Sequence, residues 1–233
     1  MSEVRAAEGR TGARLVRFDG VERAVHWATA ALVLALIVTG AMLYVPALER
    51  SVGERALVER IHVVVGLCLP LPLLLGALGR WGRRLRADLG RLDRISPAEW
   101  RWLRRFGRSE GVALGKFNPG QKLNAGLLGG SLVALFVTGL VLHWAQHLPL
   151  VFRTVATFVH DLLAWVVVVL VVGHIVMALA HPGSLRSMVV GWVDERWAAR
   201  HAPAWQAARP AREPARADWR PEPEDAYRGR RSG

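Results

Sequence analysis

Four long apolar runs constrain the fold of this chain more than any other feature of its sequence. The runs cover residues 26–45, 61–78, 123–144 and 155–180. Each is close to the roughly 20 residues of helix that cross a bilayer, and each is apolar on all sides. A spanning segment must satisfy its own backbone hydrogen bonds, so these runs predict helices. The expected fold is all-α, an integral membrane four-helix bundle.

The runs also divide the chain into three parts. We expect a leader at residues 1–25, a four-span domain at 26–180 that includes a long loop at 79–122, and a tail at 181–233. The first run follows a polar leader and is about twice the length of a signal-peptide core, so we expect it to be retained.

Basic residues are segregated to one side of the predicted spans. The net charge is +12 although the mean hydropathy is +0.22. The leader, the 79–122 loop and the tail hold 27 of the lysines and arginines, whereas the opposite connections hold 4. This bias predicts that both termini and the loop are cytoplasmic. The charge therefore indicates membrane orientation and argues against a nucleic-acid partner.

Cysteine usage and short motifs exclude several classes of site. Cys68 is the single cysteine, so an internal disulfide and an all-cysteine metal or iron–sulfur site are excluded. No C-x-x-C-H motif is present, so any haem would be b-type. A glycine-rich phosphate loop is also missing, which argues against a nucleotide enzyme.

The connections carry signals for shorter elements. Ser96-Pro97-Ala98-Glu99 has the form of a capping box and predicts a short helix, either interfacial on anionic headgroups or solvated. Residues 184–205 predict a second surface helix, and the chain beyond about residue 205 is predicted to be disordered. Pro70 and Pro72 are expected to kink the second span.

Four histidines lie within or at the ends of the spans, where ionisable groups are costly and call for an explanation. His160 and His174 are 14 residues apart on the fourth span, roughly 21 Å along the helix and about 40° apart in azimuth, so both are expected to face the interior. By depth, His62 matches His160 on the outer side and His26 matches His174 on the inner side.

Two interior imidazole pairs stacked across a membrane suit bis-histidine haem. A zinc or copper site is the competing metal interpretation, weakened because neither pair is joined by a carboxylate or thiol. Each histidine alone is also compatible with a simple hydrogen-bonding role. His143 and His147 are outer-side rivals to His62, while His181 and His201 are expected at the interface or in solvent.

A short internal similarity links the first and third runs. Ile37-Val38-Thr39-Gly40 in the first is matched by Phe136-Val137-Thr138-Gly139 in the third. A true repeat and a chance match between apolar helices are both compatible with this similarity.

Five short blocks lie beside the spans and their histidines: Glu22-Arg23-Ala24-Val25-His26-Trp27, Arg60-Ile61-His62, Gly115-Lys116-Phe117-Asn118-Pro119-Gly120-Gln121-Lys122, Gly173-His174-Ile175 and Gly183-Ser184-Leu185. With these blocks the chain resembles the cytochrome b556 (gamma) subunits of membrane-bound bacterial formate dehydrogenases. The resemblance covers about residues 17–205, and its most specific block precedes the third run.

The resemblance implies two b haems and a site for menaquinone or ubiquinone in the bacterial inner membrane. It implies His62 and His160 as ligands of the outer haem iron, and His26 and His174 as ligands of the inner one. Asn118, His174 and Gln121 are the implied quinone contacts. The implied partners are an iron–sulfur (beta) subunit and a molybdenum or tungsten catalytic (alpha) subunit.

Two alternatives stay open at this point. The histidine motifs are shared with cytochrome b anchors of Ni,Fe-hydrogenase and thiosulfate reductase. From a different class, the chain is also compatible with a haem-free membrane scaffold that holds a peripheral partner through its basic loop.

Overall fold

The computed structural model describes residues 14–107 and 112–209. In chain order the elements are β1 (Arg14–Val16), α1 (Gly20–Tyr44), α2 (Pro46–Val52), α3 (Arg55–Cys68), α4 (Leu71–Ala77), α5 (Arg83–Leu92), α6 (Pro97–Arg104), α7 (Pro119–His143), a 3₁₀ turn (Ala145–His147), α8 (Leu150–Ala180), α9 (Pro182–Val190), β2 (Trp192–Asp194), α10 (Glu195–His201) and α11 (Pro203–Ala207).

Four of these helical stretches are long and apolar enough to cross a membrane. They are α1, α3 together with α4, α7 and α8. Large apolar side chains cover their outer surface; Leu75 and Val169, for example, are 67% and 69% exposed. Such exposure is unfavourable in water and normal against lipid chains. The predicted four-span membrane protein is confirmed.

The interior of the bundle is a small apolar cluster near mid-depth. Its buried members are Val33 of α1, Leu69, which directly follows α3, and Val167 of α8. Leu128 and Leu132 of α7 pack against them, so all four spans meet at this level. Tight packing at the centre fixes the height of each span relative to its neighbours, and therefore which residues face each other on either side of the cluster.

The spans begin where the sequence supplies caps. Asp19 and Glu22 form a capping box that starts α1 six residues before the predicted position His26. A matching capping box of Asn118 and Gln121 starts α7. These side chains accept from otherwise unpaired backbone N–H groups, so the helices extend past their apolar stretches.

The second span is broken at its two prolines, as predicted. Helix α3 ends at Cys68 and α4 begins at Leu71, with Pro70 in the break and Pro72 in the first turn of α4. Proline has no backbone N–H, so the normal helical bonds are lost there.

The predicted capping box of the middle loop is confirmed and starts α6. Ser96 Oγ accepts from Glu99 N at 3.2 Å, and a Glu99 carboxylate oxygen accepts from Ser96 N at 2.8 Å. The other Glu99 oxygen lies 2.6 Å from Lys122 Nζ. This ion pair fastens α6 to the first turn of α7.

The single surface helix predicted at residues 184–205 is wrong. The chain forms α9, β2, α10 and α11 there, and β2 pairs antiparallel with β1. Gly191 ends α9 with φ +90°, and a Cβ at this position would lie 2.8 Å from the Phe18 carbonyl oxygen. A left-handed, close-packed glycine therefore interrupts the helix. The expected all-α fold thus gains a two-stranded ribbon that joins both ends of the described chain.

Helix α11 continues to Ala207, just past the predicted start of disorder at about residue 205. The remainder of that prediction concerns residues 210–233, which lie outside the described residues.

Candidate functional site

The structure brings His62 of α3 and His160 of α8 together. Their ring centroids are 6.5 Å apart with an interplanar angle of 67°. Both rings are half-buried and lie on the side of the apolar cluster that the sequence analysis predicts to be outer. We call these two residues the outer pair.

His26 of α1 and His174 of α8 form a second pair, which we call the inner pair. Their centroids are 6.1 Å apart at 54°. His26 is half-buried, but His174 is exposed. The ring of His174 nevertheless faces that of His26, so the expected inner pair is formed.

The ring separations match the space that one metal ion needs between two imidazoles. A metal–nitrogen bond of about 2.0 Å and about 1.1 Å more to the ring centre, taken on both sides, give roughly 6.2 Å. The observed 6.1 and 6.5 Å are close to this value. The donor set also fits, because two histidines on opposite faces are what a haem iron takes from a protein.

A bare metal ion fits less well. Among the described residues, no group of three or more histidine, cysteine, aspartate or glutamate side chains is placed to hold a metal ion. Zinc sites need at least three protein ligands, whereas a macrocycle supplies four of the six ligands of iron. The pairs therefore favour haem over the zinc or copper interpretation.

Two threonines that the sequence analysis did not assign to the site complete the outer pair. Thr39 Oγ1 lies 2.8 Å from His62 Nδ1, and Thr138 Oγ1 lies 2.9 Å from His160 Nδ1. These threonines are the matching residues of the Val-Thr-Gly similarity between the first and third runs. The repeated Val-Thr-Gly tripeptide is the sequence signal from which a role for these two threonines could have been predicted.

The glycine that follows each threonine lies against the same histidine ring. A Cβ at Gly40 would stand 3.5 Å from His62 Cε1, and one at Gly139 would stand 3.5 Å from His160 Cε1. Each of the two Val-Thr-Gly segments thus places a threonine hydroxyl and a glycine, which has no side chain, beside one histidine of the outer pair.

The inner pair has different surroundings. In the described part of the chain, neither His26 nor His174 has a side-chain hydrogen bond. Trp27 lies edge-on to the His26 ring at 5.2 Å and donates its indole N–H to the Met188 carbonyl oxygen at 3.2 Å. This contact fastens the start of the first span to α9.

The other histidines lie away from both pairs. His143 and His147 are exposed at the far end of α7 and the following turn. His181 and His201 are exposed as well, and each places Nδ1 within 3.0 Å of a carbonyl oxygen one helical turn earlier. Neither outer-side rival faces a second imidazole in the way that His62 does.

The predicted quinone contacts are only partly brought together. Asn118 Oδ1 accepts from Gln121 N at 2.8 Å, and Gln121 Oε1 accepts from Asn118 N at 3.0 Å. The side-chain oxygens therefore cap α7. Both side-chain amide nitrogens have no hydrogen-bond partner within the described residues and are available as donors. No hydrogen bond or ring contact joins His174 to either amide in the same part of the chain.

A buried ionic cluster lies beside these caps and was missed by the sequence analysis. Lys116 Nζ lies 2.9 Å from Glu22 Oε1 and also contacts Asp88 Oδ2. All three side chains are at most 5% exposed. Glu22 stands one helical turn before His26 on α1, so the cluster is adjacent to the inner pair.

Arg17 joins the ionic cluster to the end of the chain. Its guanidinium donates to the Lys116 carbonyl oxygen at 2.9 Å and to Ser187 Oγ at 3.2 Å. Burial lowers the pKa of Arg17 to about 10, against the opposing effect of the Asp88 carboxylate. The side chain thus remains charged at neutral pH and carries its charge inside the protein.

The carboxyl group of Asp88 is held ionised by its neighbours. Burial acts to raise its pKa, but hydrogen bonds from Glu22, Lys116 and Arg91 and the charge of Lys116 outweigh that effect. The resulting pKa lies below the ordinary aspartate value. The cluster is therefore a compensated buried ion network.

Comparison with known proteins gives a consistent result. The family model described as prokaryotic cytochrome b561 matches residues 17–191. The formate dehydrogenase cytochrome b556 subunit of Haemophilus influenzae is 27% identical over 205 residues, 82% of each chain. Two Escherichia coli K12 subunits are also similar. The cytochrome b556(fdo) subunit is 27% identical over 82% of this chain and 91% of its own length. The nitrate-inducible cytochrome b556(Fdn) subunit is 24% identical over 82% and 89%.

Proposed function

This chain belongs to the prokaryotic cytochrome b561 family, and on that premise we propose that it is the di-haem cytochrome b subunit of a respiratory formate dehydrogenase. The family implies b-type haem. The proposed role is to pass electrons from an iron–sulfur (beta) subunit to membrane quinone. Formate oxidation itself is assigned in this proposal to a separate molybdenum or tungsten (alpha) subunit.

The observation that carries the proposal is the presence of two imidazole pairs spaced for iron at two depths. His62 and His160 are the proposed ligands of an outer b haem, and His26 and His174 of an inner one. A b haem bound at each pair supplies reversible one-electron chemistry of iron. The 14 residues between the two α8 ligands correspond to roughly 21 Å of helix rise, so the pairs mark a path along the bundle axis.

The residues around the inner pair support a quinone site at that end. The Asn118 and Gln121 amides each retain a free N–H donor that suits a quinone carbonyl oxygen. A quinone in this position needs two protons as well as two electrons. Glu22 of the ionic cluster is the acidic residue of α1 and lies one helical turn from His26.

Charge distribution supports the orientation within a bacterial inner membrane. The outer connections hold 4 basic residues against 27 elsewhere, which favours cytoplasmic termini and a cytoplasmic inner pair. In this orientation, quinone takes protons from the cytoplasm while electrons arrive from the other side. Quinone reduction would therefore contribute to the membrane potential.

The test is purification of the tagged chain from its native membrane with its partners. We expect a reduced-minus-oxidised spectrum with a b-type alpha band, two haems per chain, and co-purifying iron–sulfur and molybdenum or tungsten subunits. If the protein purified from cells supplied with haem contained no haem, the cytochrome interpretation would be excluded and the membrane-scaffold interpretation would remain. Recovery of a hydrogenase large subunit or a thiosulfate reductase instead would replace formate dehydrogenase with that enzyme.

A further inference from the structure

Each histidine of the outer pair is in hydrogen-bond contact with one threonine, and the two contacts have nearly the same sequence spacing. Thr39 precedes His62 by 23 residues, and Thr138 precedes His160 by 22. In each case the threonine lies on one span and the histidine on the next span along the chain. Two successive helical hairpins therefore repeat one threonine–histidine contact, which favours a true repeat over a chance match.

We infer that Thr39 and Thr138 are positioning residues that fix the tautomer of the outer histidines and lower the reduction potential of the haem bound there. This inference rests on the proposed function, because it concerns a haem at the outer pair. It adds a role for two residues that touch neither the iron nor the quinone.

The tautomer follows from the direction of the threonine hydrogen bonds. Thr39 Oγ1 lies 2.8 Å from the Ala35 carbonyl oxygen, and Thr138 Oγ1 lies 2.8 Å from that of Ala134. A carbonyl oxygen only accepts, so it takes the single hydroxyl hydrogen of each threonine. The hydroxyl oxygen is then left to accept from the histidine Nδ1–H. With its proton on Nδ1, each imidazole presents the lone pair of Nε2, which is the form that binds a metal.

The effect on potential follows from the same hydrogen bonds. An acceptor on Nδ1–H increases the electron density of the imidazole and raises its basicity as a ligand. A more basic ligand stabilises ferric iron over ferrous iron and lowers the potential. Two such bonds act on the outer pair. The inner pair has no side-chain hydrogen bond in the described part of the chain, so its haem lacks this lowering effect.

The predicted difference in potential has a direction that suits the proposed electron path. A lower outer potential and a higher inner potential make transfer from the outer haem to the inner one downhill. Such a gradient helps electrons to move inward toward the cytoplasmic side, against a membrane potential that opposes that movement.

The experiment is a potentiometric titration of the alpha bands in the purified holo-complex. The variants are Thr39→Val and Thr138→Val, which keep the shape and remove the hydroxyl, with Thr39→Ser and Thr138→Ser as matched controls. For each valine variant we expect a roughly three- to tenfold higher ratio of reduced to oxidised outer haem at fixed ambient potential. A tenfold change corresponds to 59 mV for a one-electron couple. The serine variants should retain the wild-type potential, and the inner haem should not change.

Several outcomes separate this inference from the proposed function. Loss of one haem in both valine variants, with retention in both serine variants, also supports a positioning role for the hydroxyls. Unchanged potentials in the valine variants, or equal behaviour of valine and serine, would overturn the inference while leaving a di-haem cytochrome. Shifts of different haems by the two valine variants would overturn it as well. The proposed function is tested separately: it fails if the wild-type protein binds no b haem, or if it co-purifies with a hydrogenase or a thiosulfate reductase in place of formate dehydrogenase subunits.

Discussion

Lys116 Nζ lies 2.9 Å from Glu22 Oε1, in a position where both side chains are almost completely shielded from solvent. The two residues are 94 positions apart, one on the first span and one just before the third. Asp88 contacts the same ammonium group from α5. One buried cation therefore joins three separate segments of the chain beside the inner histidine pair.

Removal of this cation is expected to destabilise the protein strongly. Lys116→Met leaves Asp88 and Glu22 buried without the cation they share, a kind of change that costs about 3–5 kcal/mol in other proteins. We expect a clearly lower thermal denaturation temperature of the detergent-solubilised protein, followed by circular dichroism. The matched control is Arg186→Met, which breaks a half-exposed ion pair with Asp194 and should cost at most about 1 kcal/mol. Equal shifts for the two variants would contradict a buried, compensated network.

Acid is expected to weaken the same network. The pKa of Asp88 is lower in the folded protein than its ordinary value of 3.8. Its ionised form therefore contributes stability at pH values above 3.8, and this contribution is lost as the pH falls through the lower folded-state pKa. Denaturation temperatures should therefore fall between about pH 4 and pH 3, and Asp88→Asn should flatten that part of the profile. An identical acid profile in the variant would exclude Asp88 as a contributor.

Alanine substitution of the four paired histidines should separate the two haems. His62→Ala and His160→Ala are expected to lose the same haem, because the rings face each other at one depth. His26→Ala and His174→Ala should lose the other. Haem quantification would fall from two per chain to one, and the remaining alpha band identifies the centre lost. His143→Ala and His181→Ala are controls that should retain both haems. If His26 and His62 variants lost the same centre, the proposed pairing would be incorrect.

Two substitutions of Asn118 should distinguish its role as the N-cap of α7 from its proposed role in quinone binding. Asn118→Ser keeps an N-cap oxygen but removes the amide donor, whereas Asn118→Ala removes both and costs about 1 kcal/mol of helix stability. Both variants should lower kcat/KM for quinone by roughly tenfold if the amide binds the quinone carbonyl. Both should retain two haems. Wild-type turnover in Asn118→Ser, with a loss confined to Asn118→Ala, would limit Asn118 to its role as a helix cap.

The sequence predicted the parts of the fold that depend on local pattern. Apolar length predicts the spans, Ser96 and Glu99 predict the start of α6, and Pro70 predicts the break in the second span. Each signal acts over a few residues, so no tertiary information is required. The histidine pairing also depends on little more than helix rise, because His160 and His174 share one helix.

The remaining features depend on contacts between distant segments. The cluster of Glu22, Asp88 and Lys116 combines residues from three elements, and each charge alone resembles an ordinary surface charge. Three-residue strands such as β1 and β2 carry too few residues for a periodic pattern. The threonine contacts require the register between neighbouring spans, which the sequence pattern does not specify.

Both histidine pairs take one member from α8, the fourth of the described spans. Neither pair exists until residues 160–174 have entered the membrane, and β1 cannot meet β2 until about 20 further residues have been made. Assembly of either centre therefore waits for insertion of the fourth span. A chain that terminates before residue 160 contains three spans and no complete pair, so such a truncation removes both centres together.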